Sequence, residues 1–243
     1  MNRLIFLNVD FVSGAGNKDF IHPVIIQSDK ENILIDCGTS DSLPFLEKEA
    51  EKNNFDLSNL TKIIITHHDH DHMGGLYEIK KKYPHILVVS SLIEKPYIEG
   101  TKKSLRLEQA EKIYPTLSKE EKINAEHFHN ILKSIKHVPV DITIDGDKEL
   151  DWCGGIKIIT TPGHMPGHIS VYSREFKALI TGDAMVSENG ELFLANPQYT
   201  LDMKEAIKSI EKFLEYDIQQ IICYHGGIVK GDIPSILKKL LYK

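Results

Sequence analysis

Apolar residues along the chain fall into short runs separated by polar or glycine-rich segments. β-Branched clusters without helical spacing predict strands near residues 4–9, 23–27, 32–35, 62–65, 85–90, 140–144, 157–161, 169–172, 178–181 and 219–223. Helical spacing and start signals predict helices near residues 43–53, 75–83 and 202–214, and a closing helix from about 233. Strands and helices do not alternate one by one. Two mixed β-sheets packed face to face with helices outside therefore fit better than a doubly wound parallel sheet.

The stretch from about residue 92 to 137 has a different character, because it is rich in lysine and glutamate and poor in proline and glycine. Ser118 followed by Glu121 is the signature of a capping box. Apolar side chains then fall on one helical face, at Phe128, Ile131, Leu132 and Ile135. We predict an inserted helical pair that covers part of a single domain spanning residues 1–243.

Composition and charge narrow the classes of function. A chain of 243 residues with 41% hydrophobic residues is long enough for one sizeable core, and its formal charge of −6 lacks the basic surface that nucleic acid requires. The cysteines, Cys37, Cys153 and Cys223, are too far apart for a ligand pair. No segment has the length of a signal peptide or a membrane span. We therefore expect a cytoplasmic protein with a small-molecule substrate, no nucleic acid and no membrane partner; the oligomeric state stays open, a homodimer included.

The richest chemistry lies in residues 66–75, whose sequence is Thr-His-His-Asp-His-Asp-His-Met-Gly-Gly. Four histidines and two aspartates occupy six consecutive positions directly after the apolar run of residues 63–65. A loop at the end of a buried strand can direct several side chains at one point. Imidazole and carboxylate are ligands of zinc, iron and manganese, so this loop predicts a metal site.

Three further polar segments stand where predicted strands end or begin. They are residues 161–168 (Thr-Pro-Gly-His-Met-Pro-Gly-His), 181–183 (Thr-Gly-Asp) and 224–227 (Tyr-His-Gly-Gly). Each alone is typical of an ordinary turn. Together they supply imidazoles and a carboxylate from distant parts of the chain, as a two-metal site requires.

This ordered set of motifs resembles the metallo-β-lactamase fold superfamily, whose signature is His-x-His-x-Asp-His. The resemblance extends from Asp36-Cys37-Gly38 to His225 and implies an α+β four-layer αβ/βα sandwich. It also implies a centre with two divalent metal ions, for which zinc is expected first, with iron or manganese as alternatives.

Two registers of the signature compete in the histidine loop. If Asp71 and His72 take its last two positions, Gly74 and Gly75 fall where the family has them and His67 is the first ligand. The second ligand position then holds Asp69 in place of the usual histidine. The other register, through His68 and His70, loses the final Asp-His. We prefer the first register.

Carried over residue by residue, the resemblance implies two ligand sets that share one carboxylate. One metal would be bound by His67, Asp69 and His168, the other by Asp71, His72 and His225, with Asp183 bridging them. Asp36 and His164 would support the ligands from behind.

The carboxylate at position 69 carries an electrostatic consequence. With Asp69, Asp71 and Asp183 ionised, two divalent ions leave one net positive charge; a histidine at position 69 would leave two. A bound water should therefore be less acidified, and the preference should shift from zinc towards iron or manganese.

The resemblance implies metal-assisted hydrolysis by a hydroxide that bridges the two ions and that Asp71 orients. A nearly neutral site favours an ester, thioester or lactone, and Tyr97, Tyr199 and Tyr224 are candidates for contacting the substrate. Three alternatives stay open: a phosphodiesterase, a di-iron redox protein of flavodiiron type without its flavin domain, and a scaffold that merely retains metals.

Overall fold

The computed structural model describes residues 2–12 and 18–242 and is built mainly of short strands. The strands are β1 (Arg3–Phe6), β2 (Val9–Val12), β3 (Lys18–Ile21), β4 (Val24–Gln27), β5 (Asn32–Ile35), β6 (Lys62–Ile65), β7 (Leu87–Ser91), β8 (Ile142–Ile144), β9 (Lys148–Leu150), β10 (Ile156–Thr160), β11 (Ile169–Ser173), β12 (Ala178–Ile180), β13 (Met185–Glu188), β14 (Glu191–Leu194), β15 (Gln220–Cys223) and β16 (Gly227–Lys230).

Helices cover the sheets and fill the long connection between β7 and β8. They are α1 (Leu43–Lys52), α2 (His70–Met73), α3 (Leu76–Lys82), α4 (Lys95–Ile98), α5 (Leu105–Ile113), α6 (Lys119–Ser134), α7 (Met203–Glu211) and α8 (Ile233–Leu241). Short 3₁₀ turns occur at Leu57–Asn59, Tyr114–Thr116, Trp152–Gly154, Gly182–Ala184 and Lys212–Glu215. Within the described part of the chain, no helix is long and apolar enough to cross a membrane.

Two mixed six-stranded sheets form the centre of the molecule. The first has the strand order β1-β4-β5-β6-β7-β8 and the second β16-β15-β12-β11-β10-β9. In the first sheet β5, β6, β7 and β8 run parallel, and in the second β12 and β15 do. Two separate hairpins, β2-β3 and β13-β14, complete the strands.

Alternation along the strands creates three hydrophobic layers. Ile33 and Ile35 of β5 belong to the core between the sheets, together with Ile158 and Ile180 of the second sheet. Leu34, between them in sequence, belongs to the core under α1 and α3. A third core lies between the second sheet and helices α7 and α8. The result is the predicted α+β sandwich of four layers, αβ/βα.

The elements match the sequence prediction in the main and differ in detail. The capping box of Ser118 and Glu121 begins α6, and the Asp202 side chain accepts hydrogen bonds from the first turn of α7. The predicted helical pair contains a third short helix, α4. Both hairpins, as well as β9 and β16, were not predicted.

The topology brings the polar segments together. Asp36 follows β5, the histidine loop follows β6, Asp183 follows β12, and residue 225 follows β15. Because β5 and β6 are parallel neighbours, as are β12 and β15, these segments emerge at one edge of the sandwich.

Candidate metal centre

The histidine loop is pressed against the turn that follows β5. Cys37 N–H donates to the His72 carbonyl at 2.8 Å, and Gly75 N–H donates to the Gly38 carbonyl at 3.0 Å. A Cβ on Gly75 would lie 2.3 Å from the Cys37 carbonyl oxygen, so only glycine permits this approach. The glycine pair of the signature therefore serves the backbone contact that fixes the loop.

Asp36 orients His72 from behind. Its Oδ2 lies 2.9 Å from His72 Nδ1 and accepts from Thr66 Oγ1 at 2.8 Å, while its Oδ1 accepts from Thr66 N–H at 2.8 Å. A carboxylate beside Nδ1 keeps the proton on that nitrogen, so Nε2 has its lone pair directed into the site. The supporting role of Asp36 stays a prediction, and these contacts are the ones that it requires.

Three buried polar atoms meet in the middle of the site. His67 Nε2, His72 Nε2 and Asp183 Oδ1 have no hydrogen-bond partner among the described residues. His72 Nε2 nevertheless lies 3.2 Å from Asp183 Oδ1. Buried polar atoms are rarely left unpaired, so this convergence of two imidazoles and a carboxylate fits a metal ligand set.

Asp71, His72 and His225 form a second group with ligand atoms within 4.8 Å of one another. His225 Nε2 lies 3.3 Å from Asp71 Oδ2 and 3.6 Å from Asp183 Oδ1. Asp183 Oδ2, its other oxygen, lies 3.5 Å from His164 Nε2. The two oxygens of Asp183 thus face different imidazoles, the arrangement expected of a bridging carboxylate.

Asp69 belongs to a further group with His67 and His164. Its Oδ2 lies 3.4 Å from His67 Nε2 and 3.1 Å from His164 Nε2. The same carboxylate accepts two hydrogen bonds from the guanidinium of Arg106, one from Nη2 at 2.6 Å and one from Nε at 3.1 Å. Asp69 therefore faces the site and is ion-paired at the same time.

The two histidines of residues 161–168 make contacts that are the reverse of those implied by the prediction, in which His168 is the ligand and His164 the supporting residue. His168 Nε2 accepts from Asp183 N–H at 3.0 Å, and its Nδ1 lies 2.7 Å from Thr161 Oγ1. Both ring nitrogens of His168 thus contact other groups of the protein, and His168 belongs to none of the ligand groups found within the described ranges. The contacts favour His164 as the ligand and His168 as the residue that positions Asp183.

Charges within the site shift the pKa of its carboxyl groups downwards. Burial alone would raise the pKa of Asp69, but Arg106, with His164 and His67, outweighs it and holds that pKa well below the usual range. For Asp183 burial is likewise outweighed, by His72 and His225, and its pKa is also well below normal. Both groups are thus ionised over the whole neutral range.

The imidazoles divide into two kinds. Burial would lower the pKa of His72, but the carboxylates of Asp183 and Asp36 outweigh burial and raise it well above the usual range. The pKa of His67 is lowered by burial and by the neighbouring charge of His72, and that of His168 is lowered much further, again by burial first. A divalent cation would replace the proton that His72 otherwise attracts.

The intervening histidines of the loop have other contacts. His68 is buried, and its Nδ1 is paired with the carboxylate of Glu94. His68 Nε2 accepts from Leu105 N–H, the first residue of α5, at 3.2 Å. His70 Nδ1 lies 3.4 Å from Asp71 Oδ1, and its ring packs against Phe128 of α6. Neither His68 nor His70 belongs to the ligand groups found among the described residues, so these contacts do not favour the competing register.

The three candidate tyrosines occupy different environments. Tyr224 is buried. Its hydroxyl donates to the Asp71 carbonyl at 2.6 Å and accepts from Gly38 N–H at 3.1 Å. Its hydroxyl is therefore committed to the backbone, which disfavours the predicted contact of Tyr224 with a substrate. Tyr97 stacks on His68, and Tyr199 is exposed with its ring 5.4 Å from the Arg106 guanidinium carbon.

Arg106 and Glu94 are site residues that the sequence analysis missed. Glu94 accepts from Gly167 N–H at 3.0 Å in addition to its pair with His68. Arg106 is one of three arginines in a chain with 29 lysines and arginines, and it stands between two leucines in the lysine-rich segment of residues 92–137. That contrast was the one available signal, because an arginine is the cation suited to a buried carboxylate.

Comparisons with known proteins agree with the fold. The model of the metallo-β-lactamase superfamily matches residues 16–225. The chain is 26% identical over 210 residues to the probable metallo-hydrolase YflN of Bacillus subtilis, covering 82% of this chain and 76% of that protein. A hydroxyacylglutathione hydrolase of Nostoc punctiforme is 24% identical over 217 residues, covering 85% and 65%.

An archaeal relative is similar in both sequence and structure. The metallo-β-lactamase fold-containing protein ST1585 of Sulfurisphaera tokodaii is 28% identical over 227 residues, which cover 90% of this chain and 78% of the relative. Its crystal structure superimposes with a TM-score of 0.67 over 99% of this chain and 85% of that chain. The family match spans most of the chain, and the strand order and sandwich agree with it, so this protein belongs to the metallo-β-lactamase superfamily.

Proposed function

We propose that the protein is a hydrolase with a binuclear metal centre, acting on a small ester, thioester or lactone. The observation that carries this proposal is the position of Asp183, whose two oxygens face imidazoles on opposite sides, His72 with His225 and His164. We assign one metal position to His67, Asp69 and His164 and the other to Asp71, His72 and His225. Asp183 is shared.

Bound divalent ions would supply a water of lowered pKa and polarise the carbonyl group of a substrate. The residues of the chain orient the ligands of these ions. Asp36 keeps the proton on His72 Nδ1, which leaves Nε2 as a donor of electrons. The His168 ring fixes the backbone N–H of Asp183 and with it the direction of the shared carboxylate.

Asp71 is the residue to which we assign proton handling. Its Oδ1 lies 3.4 Å from His70 Nδ1 and its Oδ2 3.3 Å from His225 Nε2. A carboxylate between two imidazoles can orient an attacking water and receive its proton, which His70, the more peripheral imidazole, can then pass on to solvent.

The names of the relatives favour a carbonyl substrate. Two of the relatives carry names of metallo-hydrolases, and a third is named a hydroxyacylglutathione hydrolase, whose substrate is a thioester. We therefore place thioesters first among the candidate substrates.

The test is a substrate screen on protein of known metal content. The protein is purified without added metal, reconstituted separately with zinc, manganese and ferrous iron, and assayed against ester, thioester, lactone and phosphodiester probes. We expect two metals per chain and turnover of a carbonyl substrate. Turnover of phosphodiesters alone would favour the phosphodiesterase alternative, and reduction of oxygen by the iron form with a flavin donor would favour the redox alternative.

The matched variants are Asp183→Asn and Asp217→Asn. Asp217 is an exposed aspartate paired with Lys177, and its replacement removes the same charge away from the site. We expect Asp183→Asn to lose at least about a hundredfold in activity and to lose metal, with Asp217→Asn unchanged. Full turnover of Asp183→Asn with one metal per chain would contradict the binuclear proposal.

A further inference from the structure

Arg106 reaches the metal centre from the segment inserted between β7 and β8. It is the second residue of α5, which begins at Leu105. Leu105 N–H donates to His68 Nε2 at 3.2 Å, and His68 is itself paired with the buried carboxylate of Glu94. The first turn of α5 is thus tied to the histidine loop, and the position of Arg106 is fixed by that tie.

The guanidinium of Arg106 is buried and saturated by its contacts. Its Nε and Nη2 donate to the two oxygens of Asp69, and its Nη1 donates to the side chain of Gln109. The Arg106 side chain is only 3% exposed. A guanidinium with these partners has little capacity left for a substrate, so its role is exerted on Asp69.

One oxygen atom has two competing uses. Asp69 Oδ2 faces His67 Nε2 and His164 Nε2, which together form one of the ligand groups. The same oxygen accepts the shortest of the Arg106 hydrogen bonds, at 2.6 Å, and Arg106 Nη2 lies 3.1 Å from His164 Nε2. A cation bound at this group would share Oδ2 with a cation that is already part of the chain, and the two would repel each other.

The other ligand group has a different surrounding. The oxygens of Asp71 lie 3.4 Å from His70 Nδ1 and 3.3 Å from His225 Nε2, whereas the hydrogen-bond contacts of the Arg106 guanidinium are with Asp69, Gln109 and His164. A guanidinium stays charged at any pH at which the protein is folded, and this one is directed at Asp69. The two metal positions are therefore electrostatically unequal.

We propose that Arg106 is a built-in cation that makes the His67–Asp69–His164 position the weaker of the two metal positions. The inference rests on the metal binding proposed above and adds to it an order of filling, in which the Asp71–His72–His225 position fills first. It also alters the charge balance of the centre. Asp69 with Arg106 is neutral as a pair, like the histidine that the family signature has at position 69.

The experiment is a titration of the metal-free protein with zinc ions alone, followed by competition with a chromophoric chelator. Wild-type protein should bind one ion tightly and a second at least tenfold more weakly. His164→Ala should remove the weak phase and His225→Ala the tight one. In Arg106→Gln the weak dissociation constant should fall at least tenfold, with the tight one changed by less than threefold.

Two further variants test whether the charge of Arg106, and not the loss of any side chain or of any positive charge on α5, sets the weak dissociation constant. Arg106→Lys retains a cation, so its weak constant should stay within threefold of wild type. Lys112→Gln removes a positive charge from the same helix, but the contacts of Asp69 with Arg106, His164 and His67 do not include Lys112. It should change neither constant by more than twofold.

Stability gives a second readout that does not depend on activity. Without metal, Arg106→Gln leaves the buried Asp69 carboxylate without its partner, so its melting temperature should drop below that of wild type. Saturating zinc should restore most of the loss, since the metal replaces the guanidinium as the counter-charge. If Arg106→Gln is too unstable to purify without metal, it is purified with saturating zinc, and its weak constant is read from the chelator competition as zinc is withdrawn.

The results distinguish failure of this inference from failure of the proposed function. If wild-type protein binds no zinc, the proposed function and the inference both fail. If it binds two ions but Arg106→Gln leaves the weak constant unchanged or weakens it, only the inference is overturned. Equal tightening in Arg106→Lys and Arg106→Gln would also overturn it, because charge would then not be the cause.

Discussion

Replacement of Asp36 by asparagine tests how far the ligands depend on the residues behind them. Asp36 has a left-handed backbone with φ of 58°, which asparagine adopts readily and alanine does not. Asp36→Asn therefore changes the chemistry of the side chain without straining the turn after β5. Alanine would add a backbone penalty of roughly 1–2 kcal/mol and confuse the outcome.

The expected effect follows from the three hydrogen bonds of this carboxylate. Oδ1 accepts from Thr66 N–H, and Oδ2 accepts from Thr66 Oγ1 and lies 2.9 Å from His72 Nδ1. Asparagine has one acceptor oxygen, so its amide must face either the Thr66 N–H or the His72 ring. If it faces the ring, His72 Nδ1 becomes an acceptor and the proton moves to Nε2, where it blocks metal binding.

Loss of such a supporting carboxylate typically costs 10- to 100-fold in metal affinity, or about 1.4 to 2.7 kcal/mol. The assay is zinc competition against a chelator, with circular dichroism to verify the fold. The control is Asp41→Asn, an exposed aspartate that accepts from Thr39 Oγ1 in the same loop and does not contact the imidazole. Unchanged zinc affinity in Asp36→Asn would refute the argument that this carboxylate directs the His72 lone pair.

Three other outcomes are expected. His164→Ala should lose at least about tenfold in total zinc affinity, and His168→Ala should lose less, because only His164 belongs to a ligand group. Both affinities are measured by the same titration. A larger loss in His168→Ala than in His164→Ala would restore the assignment made from the sequence. Asp69→His should move the acidic limb of the pH–rate profile to lower pH with the same metal, since it removes a negative charge and leaves Arg106 unpaired; a limb that stays in place would contradict this. In metal-free protein the pKa of Asp69 lies well below its ordinary 3.8, so the ionised carboxylate stabilises the fold above pH 3.8, and this stabilisation is lost as the pH falls below 3.8. The difference in melting temperature between wild type and Asp69→Asn should therefore shrink between pH 7 and 3. A constant difference would argue against the ion pair.

The sequence was sufficient for the strands of the two sheets other than the edge strands β9 and β16, because buried β-branched runs have few other interpretations. The β13-β14 hairpin was missed although its signal was present. Asn189 and Gly190 form the turn with φ of 50° and 80°, the geometry that an Asn-Gly pair favours between two strands. Strand β9 has three residues and largely exposed side chains, so no hydrophobic pattern marks it.

The site was predictable where local spacing determines geometry and not where packing does. His67, Asp71 and His72 follow one strand in a fixed register, and the structure places each of them in a candidate ligand group. His164 and His168 are four residues apart in one loop, each after a glycine, and nothing local distinguishes them. Their contacts in the folded protein distinguish them, because the His168 ring accepts from Asp183 N–H whereas His164 faces the carboxylates of Asp69 and Asp183.

The contribution of α5 to the centre has a consequence for how this protein can diverge. Strands β7 and β8 are parallel neighbours at one edge of their sheet, so the segment between them leaves and returns without interrupting other strand pairs. Such a segment can be replaced as a unit between relatives. Here the inserted segment also supplies a positive charge to the metal centre, because Arg106 pairs with Asp69. An exchange of this one surface segment could retune metal preference while every ligand in the sandwich is inherited unchanged.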